Sequence, residues 1–158
     1  MKMAEVCEIF KTAGMENVSS VLASGNIIFS SDKNADELKN ILEKAMSEHF
    51  NCEAFLFIKN ENETAAYWNK NPFEIKDNFH IYAFVGGNNV ENVLMAEFDK
   101  ASKSEGEKAE IVDGIFYWQI QKGKTLDSTF GKILGKKSLK DQFTSRNINT
   151  FDKILKKF

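Results

Sequence analysis

Proline and arginine each occur once in this 158-residue chain, at Pro72 and Arg146, and cysteine and histidine twice each. Each shortage excludes something. Cys7 and Cys52 have no CxxC or histidine spacing around them, so neither a disulfide framework nor a structural zinc site is expected. His49 and His80 are the whole histidine complement and no HExxH or EF-hand pattern accompanies them, so no metal site is expected. GxGxxG and GxxxxGK[ST] loops are missing, which removes the Rossmann and P-loop routes to nucleotide binding. No apolar run reaches the roughly 18–20 residues that span a bilayer, and the opening MKMAEVCEIFKT lacks the cationic and apolar regions of a secretory signal. The expectation is a cytoplasmic protein with no membrane association, no cofactor and no nameable catalytic set.

A hydrophobic fraction of 42% is ample for a packed core. The net charge of −2 hides an asymmetry. Residues 122–158 hold ten basic and three acidic side chains, a net of +7, which leaves −9 on the other 121. Such polarity suggests an anionic partner for the C-terminal part, although lysine-rich helices are more often simply solvated faces.

Periodicity divides the chain. Met3, Val6, Cys7, Ile9, Phe10 and Ala13 recur at helical spacing and Gly14 is placed to end that helix in a left-handed cap. Val18–Ala23 and Ile27–Ser30 are strand-like runs around Ser24-Gly25-Asn26, in which glycine and asparagine tolerate positive φ. Leu38, Ile41, Leu42, Ala45, Met46 and His49 form a second helical stripe after a start signal in residues 31–34, and Ala54–Lys59 reads as a strand. Beyond a connector over 61–79, with a short helix and Asn71-Pro72-Phe73, the order is strand His80–Val85, helix Val90–Lys100, strands Glu107–Val112 and Ile115–Gln121 joined by Asp113-Gly114, helix Leu126–Leu134, an extended piece at Thr144–Arg146 and a closing helix Phe151–Phe158. Residues 80–158 therefore spell βαββαβ plus a helix, the split βαβ pattern of a ferredoxin-like subdomain. Residues 1–60 spell the same unit without its opening strand, which in such a sheet is central, so two strand edges should lack partners. The expected fold class is α+β, with two ferredoxin-like subdomains, the first incomplete, and a C-terminal helix.

Three stretches, VLASGNIIF, NPF and TSRNINT, resemble motifs of the family catalogued as domain of unknown function 1697, and the likeness covers essentially the whole chain. The resemblance implies a small bacterial protein of two α+β subdomains and carries no established activity. Family members usually begin with a strand running into an Arg-Gly-Ile-Asn-Val-Gly-Gly-like turn before a Met-Ala-Glu helix, whereas this sequence opens at Lys2-Met3-Ala4-Glu5. A Thr-Tyr-Ile-Gln-like strand before the family's SGN is replaced here by Ser20, Val21, Leu22 and Ala23.

Candidate chemistry gathers in TSRNINT. Asn149 is placed to cap the last helix, with Asp152 three residues on. Thr144, Ser145, Arg146 and Asn147, with Asn149 and Thr150, exceed what a cap requires, and a guanidinium beside free helix amides is an anion-binding arrangement; the competing reading ties Arg146 to carbonyls or an acid. Ser24, Gly25 and Asn26 form a second candidate that hairpin geometry also explains. Ser128 and Lys132 lie one helical turn apart, yet no base is placed to activate the serine. Tyr82, Phe84, Phe116, Tyr117 and Trp118 raise RNA stacking, but Tyr117 alternates onto the face of Gln119 and Gln121, only the opposite side has a core pattern, and an RNP1 opening is missing. The expected role is a binding module for a small anionic or phosphate-bearing ligand; the alternatives are a nucleic-acid-binding module and an interaction module, including a homodimer, completed by a partner strand.

Overall fold

The computed structural model describes residues 2–136 and 142–158, and it is a mixed α+β structure with two antiparallel sheets and six helices among those residues. The chain divides into two compact units, the first running to Glu61 and including Lys153–Phe158, the second spanning Asn62–Asp152.

In the first unit, α1 (Met3–Thr12) ends as its glycine demands: Gly14 takes φ +100° and the Met15 N–H reaches back to the Phe10 carbonyl. Strands β1 (Glu16–Val21) and β2 (Asn26–Ser30) form a two-stranded hairpin. The positive φ values of its turn fall on Leu22 and Gly25 rather than on Gly25 and Asn26. Asn26 instead begins β2 and donates to the Val21 carbonyl and to Ser24 Oγ. Helix α2 (Ala35–Phe50) starts at a reciprocal cap, with Asn34 Oδ1 accepting the Glu37 N–H and Asn34 Nδ2 donating to Glu37 Oε1. It stops at Asn51, the left-handed residue after its last turn. Val6, Ile9, Phe10, Leu38, Leu42 and Met46 form the core, with Ile27, Phe29, Leu56 and Ile58 half-buried around it. His49, expected on the apolar stripe, sits at its margin and meets Glu5 of α1 at 2.6 Å.

Residues 54–59 correct the expectation of a strand. Among the described residues they pair with no strand, and the backbone groups of Ala54 and Leu56 are bonded instead by α2 side chains. Ser47 Oγ accepts the Ala54 N–H, Glu43 Oε2 accepts the Leu56 N–H, and Lys39 Nζ donates to the Leu56 carbonyl at 2.6 Å.

The second unit opens with α3 (Glu61–Asn69), which begins at the unit boundary, and builds one sheet from β3 (Phe79–Gly86), β4 (Lys108–Val112), β5 (Ile115–Gln121) and β6 (Phe143–Asn147). The order is β4-β5-β3-β6 and every pairing is antiparallel, which leaves β3 central. Asp113 and Gly114, both at positive φ, make the tight turn between β4 and β5, as an Asp-Gly pair should. Helix α4 (Val90–Lys100) and the short α5 (Thr129–Leu134) supply Leu94, Phe98 and Phe130 to a core with Phe84, Phe116, Trp118 and Ile120. Three residues of the predicted Leu126–Leu134 helix precede α5; Ser128 is its N-cap and Leu126 is largely exposed. The predicted closing helix starts earlier and ends earlier, as α6 (Ile148–Leu155), directly after β6. Tyr117 is fully buried, so β5 is covered on both faces rather than one. Its hydroxyl donates to the Tyr67 carbonyl of α3 at 2.7 Å, and the Tyr67 ring stacks on Phe151. No helix among the described residues is long and apolar enough to cross a membrane.

Candidate functional site

Register along β6 decides how the TSRNINT residues are distributed. Arg146 stands opposite Ala83 and Asn147 opposite Tyr82, so these neighbours in sequence face opposite sides of the sheet. Thr144 shares the Arg146 side: Arg146 Nη1 donates to Thr144 Oγ1 at 2.6 Å and to the Ser145 carbonyl at 2.8 Å. Burial lowers the pKa of the guanidinium from its ordinary value, a direction set by desolvation.

Asn147 organises the other side. Its Oδ1 accepts the N–H of Asn149 at 3.0 Å, so the residue that caps α6 is Asn147 and not the predicted Asn149. The strand delivers Asn147 to the helix start without a loop, which places its side chain two residues before a helix amide still in need of an acceptor. Asn149 is exposed on the first turn of α6, and Thr150 is buried in the same turn. Asn147 Nδ2 also lies 3.0 Å from His80 Nδ1. His80 adjoins Tyr82, whose hydroxyl is 3.4 Å from Thr125 Oγ1. Burial first, and Lys122 second, lower the His80 pKa below the ordinary histidine value. Sequence reasoning missed His80 as a partner of Asn147. Alternation alone assigns a face within β3, whereas the contact requires the β3–β6 register.

The remaining candidates lie elsewhere. Ser128 Oγ donates to the Thr125 carbonyl and accepts the Gly131 N–H, so it holds the first turn of α5, while Lys132 is exposed on that helix. Ser24, Gly25 and Asn26 shape the β1–β2 turn of the first unit.

A second feature of the first unit concerns backbone. Among the described residues β2 is bonded to β1 on one edge only, so half of its N–H and C=O groups point away from that ladder. In residues 54–57, the groups bound by α2 alternate with those of Phe55 and Phe57, whose N–H and C=O meet no hydrogen-bonding partner among the described residues. That alternation is what an extended chain produces when one edge is held and the other is open. Phe55 is 49% exposed, and Ile27, Ile28, Phe29 and Phe57 are half-buried, so both open edges carry apolar side chains that remain partly wetted.

A family model described as "Protein of unknown function (DUF1697)" matches residues 1–117. No curated protein matches the chain. Among solved structures, the chain is similar to the conserved bacterial protein SP0830 from Streptococcus pneumoniae, at 24% sequence identity and a TM-score of 0.75, over 99% of this chain and 88% of that one. At this identity the likeness concerns the fold.

Proposed function

We propose that this chain, which belongs to the DUF1697 family, is an interaction module whose first unit is completed by an added β-strand. The carrying observation is the pair of open backbone edges, on β2 and on residues 54–57, bordering one apolar core. The second unit supplies the comparison. From α1 onward the first unit runs helix, β1, β2, helix, extended segment; from α4 onward the second runs helix, β4, β5, helix, β6. In the second unit β3 lies between β5 and β6, antiparallel to both. This order supports treating the second unit as a ferredoxin-like βαββαβ layer and the first as the same layer from its helix onward. The occupant is then an extended polypeptide that runs antiparallel to β2 and turns alternate apolar side chains towards Val6, Phe10 and Leu42.

The same reading accounts for the half-wetted phenylalanines. Peptide N–H and C=O groups enclosed without partners cost about 1–3 kcal/mol each, so the edges stay open to solvent until a strand meets them. A small-anion role at the β6–α6 corner carries less weight, because Arg146 hydrogen-bonds Thr144 and Ser145, and Asn147 bonds Asn149 and His80. The test uses an eight-residue peptide with the sequence of β3, FHIYAFVG, and a control with proline in place of its central alanine. Saturable binding is expected for the first alone, with slowed amide exchange at Ile27–Phe29, Phe55 and Phe57. Equal binding of both peptides, or binding without protection at those amides, would overturn the reading. A parallel titration with inorganic phosphate, read at the Arg146 and Asn149 amides, tests the anion role separately.

A further inference from the structure

The orientation of the Asn147 side-chain amide is set by its neighbours. The Asn149 N–H can only donate, so it requires Oδ1, and the NH2 group is left facing His80 Nδ1. An NH2 group can only donate as well. His80 Nδ1 therefore carries no proton, and the ring is the neutral tautomer with its hydrogen on Nε2.

We propose that His80 and Asn147 form an acid-sensitive clasp on the start of α6, closed while the imidazole is neutral and released when it gains a proton. A proton on Nδ1 would set two donors against each other across 3.0 Å. Turning the amide over would serve the imidazolium, but it would present the NH2 to the Asn149 N–H. One of the two bonds is lost in either case. The inference is independent of strand addition in the first unit.

The surroundings of His80 favour the closed form. Tyr82 comes from its own strand with ring centres 5.7 Å apart, Asn147 comes from β6 without charge, and Lys122 from the turn after β5 is the charged group acting on it among the described residues. Burial and that ammonium both oppose protonation. The folded chain thus holds a proton at His80 less readily than the unfolded chain does. The clasp's stabilisation is complete above the ordinary histidine value of 6.5 and declines as the pH falls from there through the lowered folded value. What the clasp holds is the first turn of α6, where Ile148, Thr150 and Phe151 are buried and Phe151 stacks on Tyr67 at 5.0 Å.

The experiment follows the His80 ring nitrogens and the Asn149 amide by NMR in the full chain as the pH is lowered from neutrality. The expected result is an Nε2–H tautomer at neutral pH and an Asn149 exchange rate that rises about five-fold, beyond its intrinsic pH dependence, with the His80 midpoint, the factor a cap bond of ordinary strength represents. In Asn147→Asp a carboxylate can accept from both the Asn149 N–H and an imidazolium, so the His80 midpoint should move above the ordinary value and the acid-induced opening should vanish. His80→Gln, which cannot titrate, should show no such opening. An Nδ1–H tautomer, Asn149 exchange that ignores the His80 titration, or an unmoved midpoint in Asn147→Asp would each overturn the clasp.

Discussion

At Gly131 a single hydrogen atom separates a workable turn from a collision. A Cβ there would run into the Thr125 carbonyl oxygen and would stand 2.7 Å from Ser128 Oγ, the atom that caps the same helix. Gly131→Ala should therefore lower stability by about 1–3 kcal/mol, the range for forcing atoms into a packed site. Chemical denaturation measures it, and an unchanged midpoint would mean that Thr125 moves aside freely. Two tyrosines make a separate, pH-dependent contribution. Burial, with Glu63 second, pushes Tyr67 from 10 up to about 12, and burial raises Tyr117 further, helped by Tyr67 and Asp113. The unfolded chain loses these protons near pH 10 while the folded chain retains them, so stability should be complete below pH 10 and fall between pH 10 and 12. Tyr117→Phe, which removes the 2.7 Å bond to the Tyr67 carbonyl, should cost about 1 kcal/mol near neutrality and flatten that alkaline slope. A slope as steep as in the parent chain would place the titrating group elsewhere. At this scale the sequence was readable where the backbone rule is local. Gly14, Asn34 and Asp113-Gly114 behave as their residue types require, whereas the α6 cap lies two residues from the predicted Asn149 because β6 runs into the helix without a break.

Elements were legible in proportion to how much of their pairing is local. Hairpin β4–β5 follows from Asp113-Gly114 between two β-rich runs, and the α1 and α2 stripes contain the buried positions Val6, Ile9, Phe10, Leu38, Leu42 and Met46, with His49 of the α2 stripe exposed. Residues 54–59 have the composition of a strand, yet strand status requires a neighbouring backbone, and here α2 side chains take that place. Likewise, the alternation in β5 separated its two faces correctly without showing that Tyr117 would be covered by α3. The substitute pairing can be tested directly. Glu43 Oε2 accepts the Leu56 N–H at 2.7 Å and meets Lys39 Nζ at 2.7 Å, while the same ammonium donates to the Leu56 carbonyl. Glu43→Ala should cost about 1–2 kcal/mol and speed exchange of the Leu56 amide. If that amide exchanges as before, residues 54–59 are held by packing of Leu56 and Ile58 rather than by α2 side chains.

At the scale of the whole molecule, the described residues combine one sheet of four strands with one of two, and the difference should be visible in unfolding. The second unit satisfies β3 on both edges and buries aromatic residues on both sides of β5. In the first unit, two helices and a hairpin share a core whose strand-side residues Ile27, Phe29, Leu56 and Ile58 are only half-buried. A two-stranded hairpin is marginal by itself, and apolar surface left in water forfeits about 25 cal/mol for each Å² not buried. Native-state hydrogen exchange should therefore find the β1–β2 amides opening at a lower free energy than those of β3 and β5, as a separate sub-global step. The added-strand proposal sharpens this expectation. If the FHIYAFVG peptide completes the first sheet, saturating amounts should raise the opening free energy of β1, β2 and residues 54–58 and leave β3 and β5 unchanged, with the size of the rise following RT ln(1 + [L]/Kd). A uniform rise across both units would indicate binding to the folded chain at some other place. A hairpin as resistant to exchange as β3 before any peptide is added would mean that the first unit needs no further strand, and the open edges would then lose their claim to function.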